Sequence, residues 1–134
     1  MFTASHRSAT NAYATVGLET SIAAADPHRL IQLLFEGVLL AVAQAKQAIT
    51  QGNVAEKGRA ISKAIQIIEE GLKTSLDDRG GELSGQLRSL YDYMSRRLLF
   101  ASLRSNIEAL DEVSSLLGEI KGAWMAIAPG KNGA

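Results

Sequence analysis

Proline occurs only at Pro27 and Pro129 of this 134-residue chain, so nothing between them breaks a helical hydrogen-bond ladder. Within that stretch the large apolar residues recur at spacings of three and four, the period of a helix with one buried face. No alternating strand pattern competes.

The chain carries its own stop and start signals. Asp26 can accept from the first free backbone N–H groups of a helix, and Pro27 suits the first helical position. That helix should end at Gln51-Gly52, with Asn53 and Glu56 arranged to cap the next one. Ile61, Ile65, Ile68 and Leu72 predict a second helix running to about Leu76, before the loop Asp77-Asp78-Arg79-Gly80-Gly81. Leu83, Leu87, Leu90, Met94, Leu98 and Ala101 mark the inner face of a third helix. Ser105 with Glu108 fits a capping box for a fourth, whose face carries Ile107, Leu110, Val113, Leu117, Ile120, Trp124 and Ile127.

Four amphipathic helices joined by short turns bury their faces most simply as an antiparallel four-helix bundle. The expected organisation is all-α: an N-terminal arm or lid over residues 1–25, with room for a short extra helix, the bundle over 26–128, and a flexible tail over 129–134.

Composition narrows the function. The 14 basic and 14 acidic residues cancel, so no overall field draws the chain onto nucleic acid or an anionic membrane. Cysteine is absent, which removes disulfides, thiolate metal sites and a cysteine nucleophile. The N-terminus is polar where a secretory signal places an apolar core, and the apolar runs are interrupted by Gln, Glu or Gly, so a soluble, cytoplasmic protein without membrane insertion is expected.

Catalytic chemistry finds no residues. His6 lies in the arm, and His28 reads as a solvated residue in the first turn of helix one. No Glu-x-x-His pair for a di-iron centre is present, and no phosphate loop or nucleophile elbow. A phosphorelay bundle needs a mid-helix histidine, which His28 is not. The expectation is a non-enzyme without catalytic, metal or cofactor residues. Asp77-Asp78-Arg79 reads as a solvated connection, and Arg96-Arg97 as a cover for the outer side of helix three.

At about 100° per residue, helices one and three carry more apolar surface than a bundle face requires. On helix one, Leu33 and Leu40 form a flank outside the core arc and Leu39 points away from it; on helix two, Ile67 is the main stray. On helix three, Tyr93 and Phe100 share a flank, with Leu99 and Leu103 further round. Such strips suit either a partner groove or a homodimer seam. Tyr13, Val16 and Leu18 of the arm are candidate plugs. The candidate partner-binding residues are therefore Tyr13, Val16, Leu33, Leu40, Tyr93 and Phe100, and a self-associating helical module is the alternative.

Several stretches together resemble one family. Tyr13 with Val16, Ala25-Asp26-Pro27-His28-Arg29-Leu30-Ile31, Leu34-Phe35-Glu36-Gly37, Lys63-Ala64 with Ile67-Ile68, Gly80-Gly81-Glu82 and Leu90-Tyr91-Asp92-Tyr93-Met94 look like the FliS flagellar secretion chaperones. The likeness continues through Leu98, Ala101, Leu110-Asp111-Glu112-Val113 and Trp124. It implies a cytoplasmic chaperone that binds the disordered C-terminal segment of flagellin, prevents premature polymerisation and assists delivery to the type III flagellar export apparatus. The implied partners are flagellin and that apparatus, with a weak homodimer open. Where the family often has Tyr-Asp, this chain has Phe35-Glu36, which lacks the hydroxyl.

Overall fold

A computed structural model describes residues 26–127; Tyr13, Val16 and Leu18, and the tail from Pro129 onward, lie outside the described residues. The described residues form four helices and no strand: α1 (Pro27–Thr50), α2 (Val54–Ile67), α3 (Gly81–Arg104) and α4 (Ile107–Ala126). Each helix packs mainly on its two sequence neighbours around a ring that α4 closes on α1, the arrangement of an up-down-up-down bundle.

The first two helices start as their caps dictate. Asp26 Oδ1 accepts the Arg29 N–H at 2.7 Å, and Asn53 Oδ1 accepts the Glu56 N–H at 3.1 Å. Between them Gly52 takes a φ of +70°, the left-handed geometry that lets α1 stop and the chain reverse.

Three boundaries depart from the sequence reading. The second helix is not α-helical to Leu76: past Ile67 it widens into a π-turn over Ile68–Leu72, sealed by the Lys73 N–H donating to the Ile68 carbonyl at 2.9 Å. The π-turn adds a residue to the turn, so the adjacent pairs Ile67-Ile68 and Gly71-Leu72 all face inward. Ile67 is therefore core, not a stray. Ser105 does not open the fourth helix; it closes α3 in the left-handed conformation, and Asn106 caps α4 by accepting the Ala109 N–H at 2.7 Å. Leu83, expected on the inner face, is exposed.

One continuous core runs the length of the bundle, built from Leu34, Phe35, Val38 and Val42 of α1, Ile61, Ile67, Ile68 and Leu72 of the second helix, Met94 and Leu98 of α3, and Leu110, Val113 and Leu117 of α4. No polar side chain is buried among the described residues. Phe35 sits inside this core, where a hydroxyl would need a hydrogen-bond partner. By length and composition α1 could cross a membrane, contrary to the reading of interrupted apolar runs; nine of its residues are buried against the other helices, which accounts for its hydropathy.

Candidate functional site

The apolar surplus is divided unevenly. On α1, Leu33 is only 6% exposed and Leu39 is half-buried against the core, so neither stands on an outer flank as its angular position suggested. Leu40 alone of that group is open, at 57%. On α3, Leu99, Phe100 and Leu103 are 54%, 38% and 75% exposed, which gathers three exposed large apolar side chains in the C-terminal half of this helix. Leu99 and Leu103 stand one turn apart on one face, with Phe100 beside them.

Tyr93 and Phe100 are placed by a polar clasp across the α3/α4 seam. The Tyr93 hydroxyl donates to Glu112 Oε2 at 2.6 Å, and Arg97 Nε donates to Glu112 Oε1 at 2.8 Å. The Arg97 guanidinium in turn lies 4.9 Å from the centre of the Phe100 ring. Each contact shifts its partner: the Tyr93 hydroxyl and then Arg97 hold the Glu112 carboxyl below the usual carboxylate range, while Glu112 raises the Tyr93 phenol. Tyr93 is thus a half-buried seam residue with its polar end occupied, whereas Phe100 presents a free edge. Arg97, read from sequence as an outer cover, is half-buried in this clasp; Arg96 is exposed as expected.

A second clasp fastens the ends of the bundle. The His28 and Trp124 rings stack at 4.5 Å with planes 7° apart. His28 Nε2 lies 2.6 Å from the Trp124 carbonyl, which can only accept, so Nε2 carries the proton; Trp124 Nε1 donates back to the His28 carbonyl at 2.9 Å. His28 is therefore a structural fastener joining the start of α1 to the end of α4, not a solvated helix-end residue.

Ion pairs decorate the other seams. Lys46 meets Asp111 at 2.6 Å and Lys121 meets Glu36 at 3.4 Å between α1 and α4. Lys73, just past the π-turn, reaches Asp92 of α3 at 2.6 Å and Glu69 at 3.0 Å, and these two hydrogen bonds raise its pKa. In the connection, Arg79 pairs with Asp77 at 3.2 Å, consistent with a solvated loop.

An open recess of about 150 Å³ between α1 and α2 is lined by Gln44, Gln47, Ala48, Gln51 and Glu56, below the ~300 Å³ at which ligand pockets usually begin. Among the described residues no cluster of His, Asp or Glu is arranged to hold a metal ion.

Of the six candidate residues, the structure leaves Leu40 and Phe100 open, half-covers Tyr93 and buries Leu33; Tyr13 and Val16 fall outside the described residues. Leu99 and Leu103 are the members that sequence ranking left out. Their signal was present as an i, i+4 apolar pair off the core arc, but Leu33 and Leu39 carried a similar signal and are covered.

The chain matches a known protein family and known sequences. Residues 9–131 match the family model described as flagellar protein FliS. The chain is 48% identical over 130 residues to a flagellar secretion chaperone FliS of Salmonella typhimurium, covering 96% of this chain and 94% of that one. It is also 48% identical over 117 residues to the flagellar secretion chaperone FliSB of Pseudomonas aeruginosa, covering 87% and 92%, and 34% identical over 106 residues to the FliS of Bacillus subtilis, covering 79% and 78%. An all-helical bundle with exposed apolar positions, matched along nearly its whole length by these relatives, belongs to the FliS family of flagellar secretion chaperones.

Proposed function

We propose that this protein is a non-enzymatic cytoplasmic chaperone that binds the disordered C-terminal segment of flagellin, prevents its premature polymerisation and assists its delivery to the type III flagellar export apparatus. The observation that carries the reading is the exposed group Leu99, Phe100 and Leu103 on a bundle whose family relatives are named flagellar secretion chaperones. Apolar surface on a soluble helical body suits a client that arrives with apolar side chains and no fold of its own.

Leu40 adds a geometric constraint. It lies on α1, diagonal to α3 in the ring, so one client touching both places must travel round the bundle. Two helices of about 10 Å diameter span the bundle, and half its girth is roughly 30 Å. Extended chain covers that distance in about 10 residues. A floppy segment can wrap in this way, and a rigid domain cannot. Ordering such a segment costs about 2–5 kcal/mol, which an interface of on the order of 1,000–3,000 Å² offsets.

Calorimetric titration of the full chain with the C-terminal flagellin segment, run alongside light scattering, tests the reading. A monomer passing to a one-to-one complex is expected. A stable dimer indifferent to the segment would replace it with the self-associating module.

A further inference from the structure

The apolar opening on α3 is set in a positively charged frame. From Ser95 to Arg104 the helix carries three arginines and no carboxylate. Arg96 lies one turn before Leu99 and Phe100, and Arg104 follows Leu103 and sits one turn beyond Phe100. Both are exposed, and neither forms an ion pair among the described residues. Arg97 lies over the Phe100 ring with its charge met by Glu112, and Lys57 reaches in from α2 to donate to Ser105 Oγ at 2.9 Å just past the end of the helix.

Two of the nearby carboxylates are already engaged elsewhere. Glu112 is shared by Tyr93 and Arg97, and Asp92 is held by Lys73. Glu108 opens α4 beyond Asn106 and makes no ion pair with Arg104 among the described residues. Leu40 is set differently: from Gly37 to Ala45 the α1 sequence has no charged residue, and the exposed positions after Leu40 are Ala43, Gln44 and Gln47.

We infer that the C-terminal half of α3 is the subsite for an acidic amphipathic stretch of the flagellin C-terminal segment, one with two apolar anchors a helical turn apart and carboxylates beside them. The assignment rests on the flagellin-binding reading above and adds which part of the client goes where. Leu99, Phe100 and Leu103 take the anchors, and Arg96 and Arg104, about 12 Å apart along the helix axis, take the carboxylates at either end. Around Leu40 the next turn is neutral and Glu36, one turn back, is already paired with Lys121, which suits a neutral apolar stretch of the same client. Opposite charges at the edge of such a contact act chiefly on encounter rate and register, which places a floppy client in one direction along the bundle.

The test is titration of the full chain with the flagellin C-terminal segment at low and high salt, for the wild type, R96Q/R104Q and R96E/R104E. The neutral pair controls for the favourable position of Arg104 at a helix C-terminus, and thermal unfolding checks that every variant is folded. Affinity should fall about threefold for R96Q/R104Q and about tenfold for R96E/R104E at low salt, with a flatter salt dependence in both. A client whose acidic residues are changed to lysine should bind R96E/R104E better than it binds the wild type. If the wild type binds and both variants bind equally well at every salt concentration, the subsite assignment is overturned while flagellin binding stands. If the wild type does not bind at all, the flagellin reading itself fails and the subsite falls with it.

Discussion

α1 and α3 each contain 24 residues, yet nine residues of α1 are buried and only four of α3. Both read from sequence as helices with apolar residues to spare. The difference lies in how their neighbours are held. α1 lines its inner side with Ala41, Ala45 and Ala48, all buried, and such small side chains let a neighbouring helix approach closely enough to cover its flanks. α3 buries only Tyr91, Met94, Leu98 and Ala101 in the core, and adds polar contacts at its edges: Tyr93 and Arg97 to Glu112, Asp92 to Lys73 and Ser95 to Glu69. Apolar excess in sequence therefore does not by itself say which residues stay open: Leu33 is covered and Leu103 is not.

The contrast can be broken most directly by truncation. Leu34→Ala on α1 should cost about 2–5 kcal/mol in denaturant unfolding, whereas Leu103→Ala on α3 should change stability by less than about 0.5 kcal/mol. Comparable losses at both would mean that α3 is as enclosed as α1. A charge sharpens the same point: Leu33→Asp should lower thermal stability strongly, while Leu40→Asp and Leu103→Asp should leave helicity by circular dichroism unchanged and weaken flagellin-segment binding.

Tyr91 is one of the four buried residues of α3, and burial pushes its phenol up to about 12. Because the folded value is raised, its contribution is complete below pH 10 and is lost as pH rises toward 12, a loss of ~2 kcal/mol by pH 12. Tyr91→Phe should remove that alkaline step, read by unfolding at graded pH.

At the clasp between α1 and α4, His28→Ala removes a stacked ring and one hydrogen bond, with an expected cost of ~1–2 kcal/mol. Trp124 is the single tryptophan, so its fluorescence should shift to longer wavelength as the ring is uncovered. An unchanged spectrum would show that the clasp does not shield it.

The smallest effect concerns Glu112. Its folded pKa is depressed, so its contribution is present above the usual carboxylate value near 4.5 and fades as pH falls through the lower folded value. Glu112→Gln should flatten that acid limb slightly in urea unfolding followed by circular dichroism.

Much of the bundle was legible in the chain because its signals are local. Asp26-Pro27 and Asn53 act on N–H groups within a turn of themselves, and Leu110, Val113 and Leu117 of α4 are buried as their spacing predicts, whereas Ile127, expected on the same face, lies past the helix end and is exposed. Two boundary errors were local as well, but degenerate: Ser105 and Asn106 are adjacent and both can cap, and only the left-handed backbone at Ser105 assigns one to each helix. The π-turn was not legible, since the local spacing of Ile65, Ile68 and Leu72 is equally that of a continuing α-helix. The candidate site was half legible. Phe100 and Leu40 were found as positions off the core arc, and Leu33 was found by the same rule and is buried.

Sequence by itself determined the starts of the first two helices, the antiparallel order and the family, because each follows from residue identity or from contacts within a few positions. Tertiary structure alone decided which apolar residues remain open among the described residues, that His28 pairs with Trp124 across 96 positions, and that Arg96 and Arg104, without an ion pair among the described residues, flank Leu99, Phe100 and Leu103. Exposure is a property of what stands opposite a side chain, and the helix that stands opposite is set by packing, not by the period of the chain that carries it.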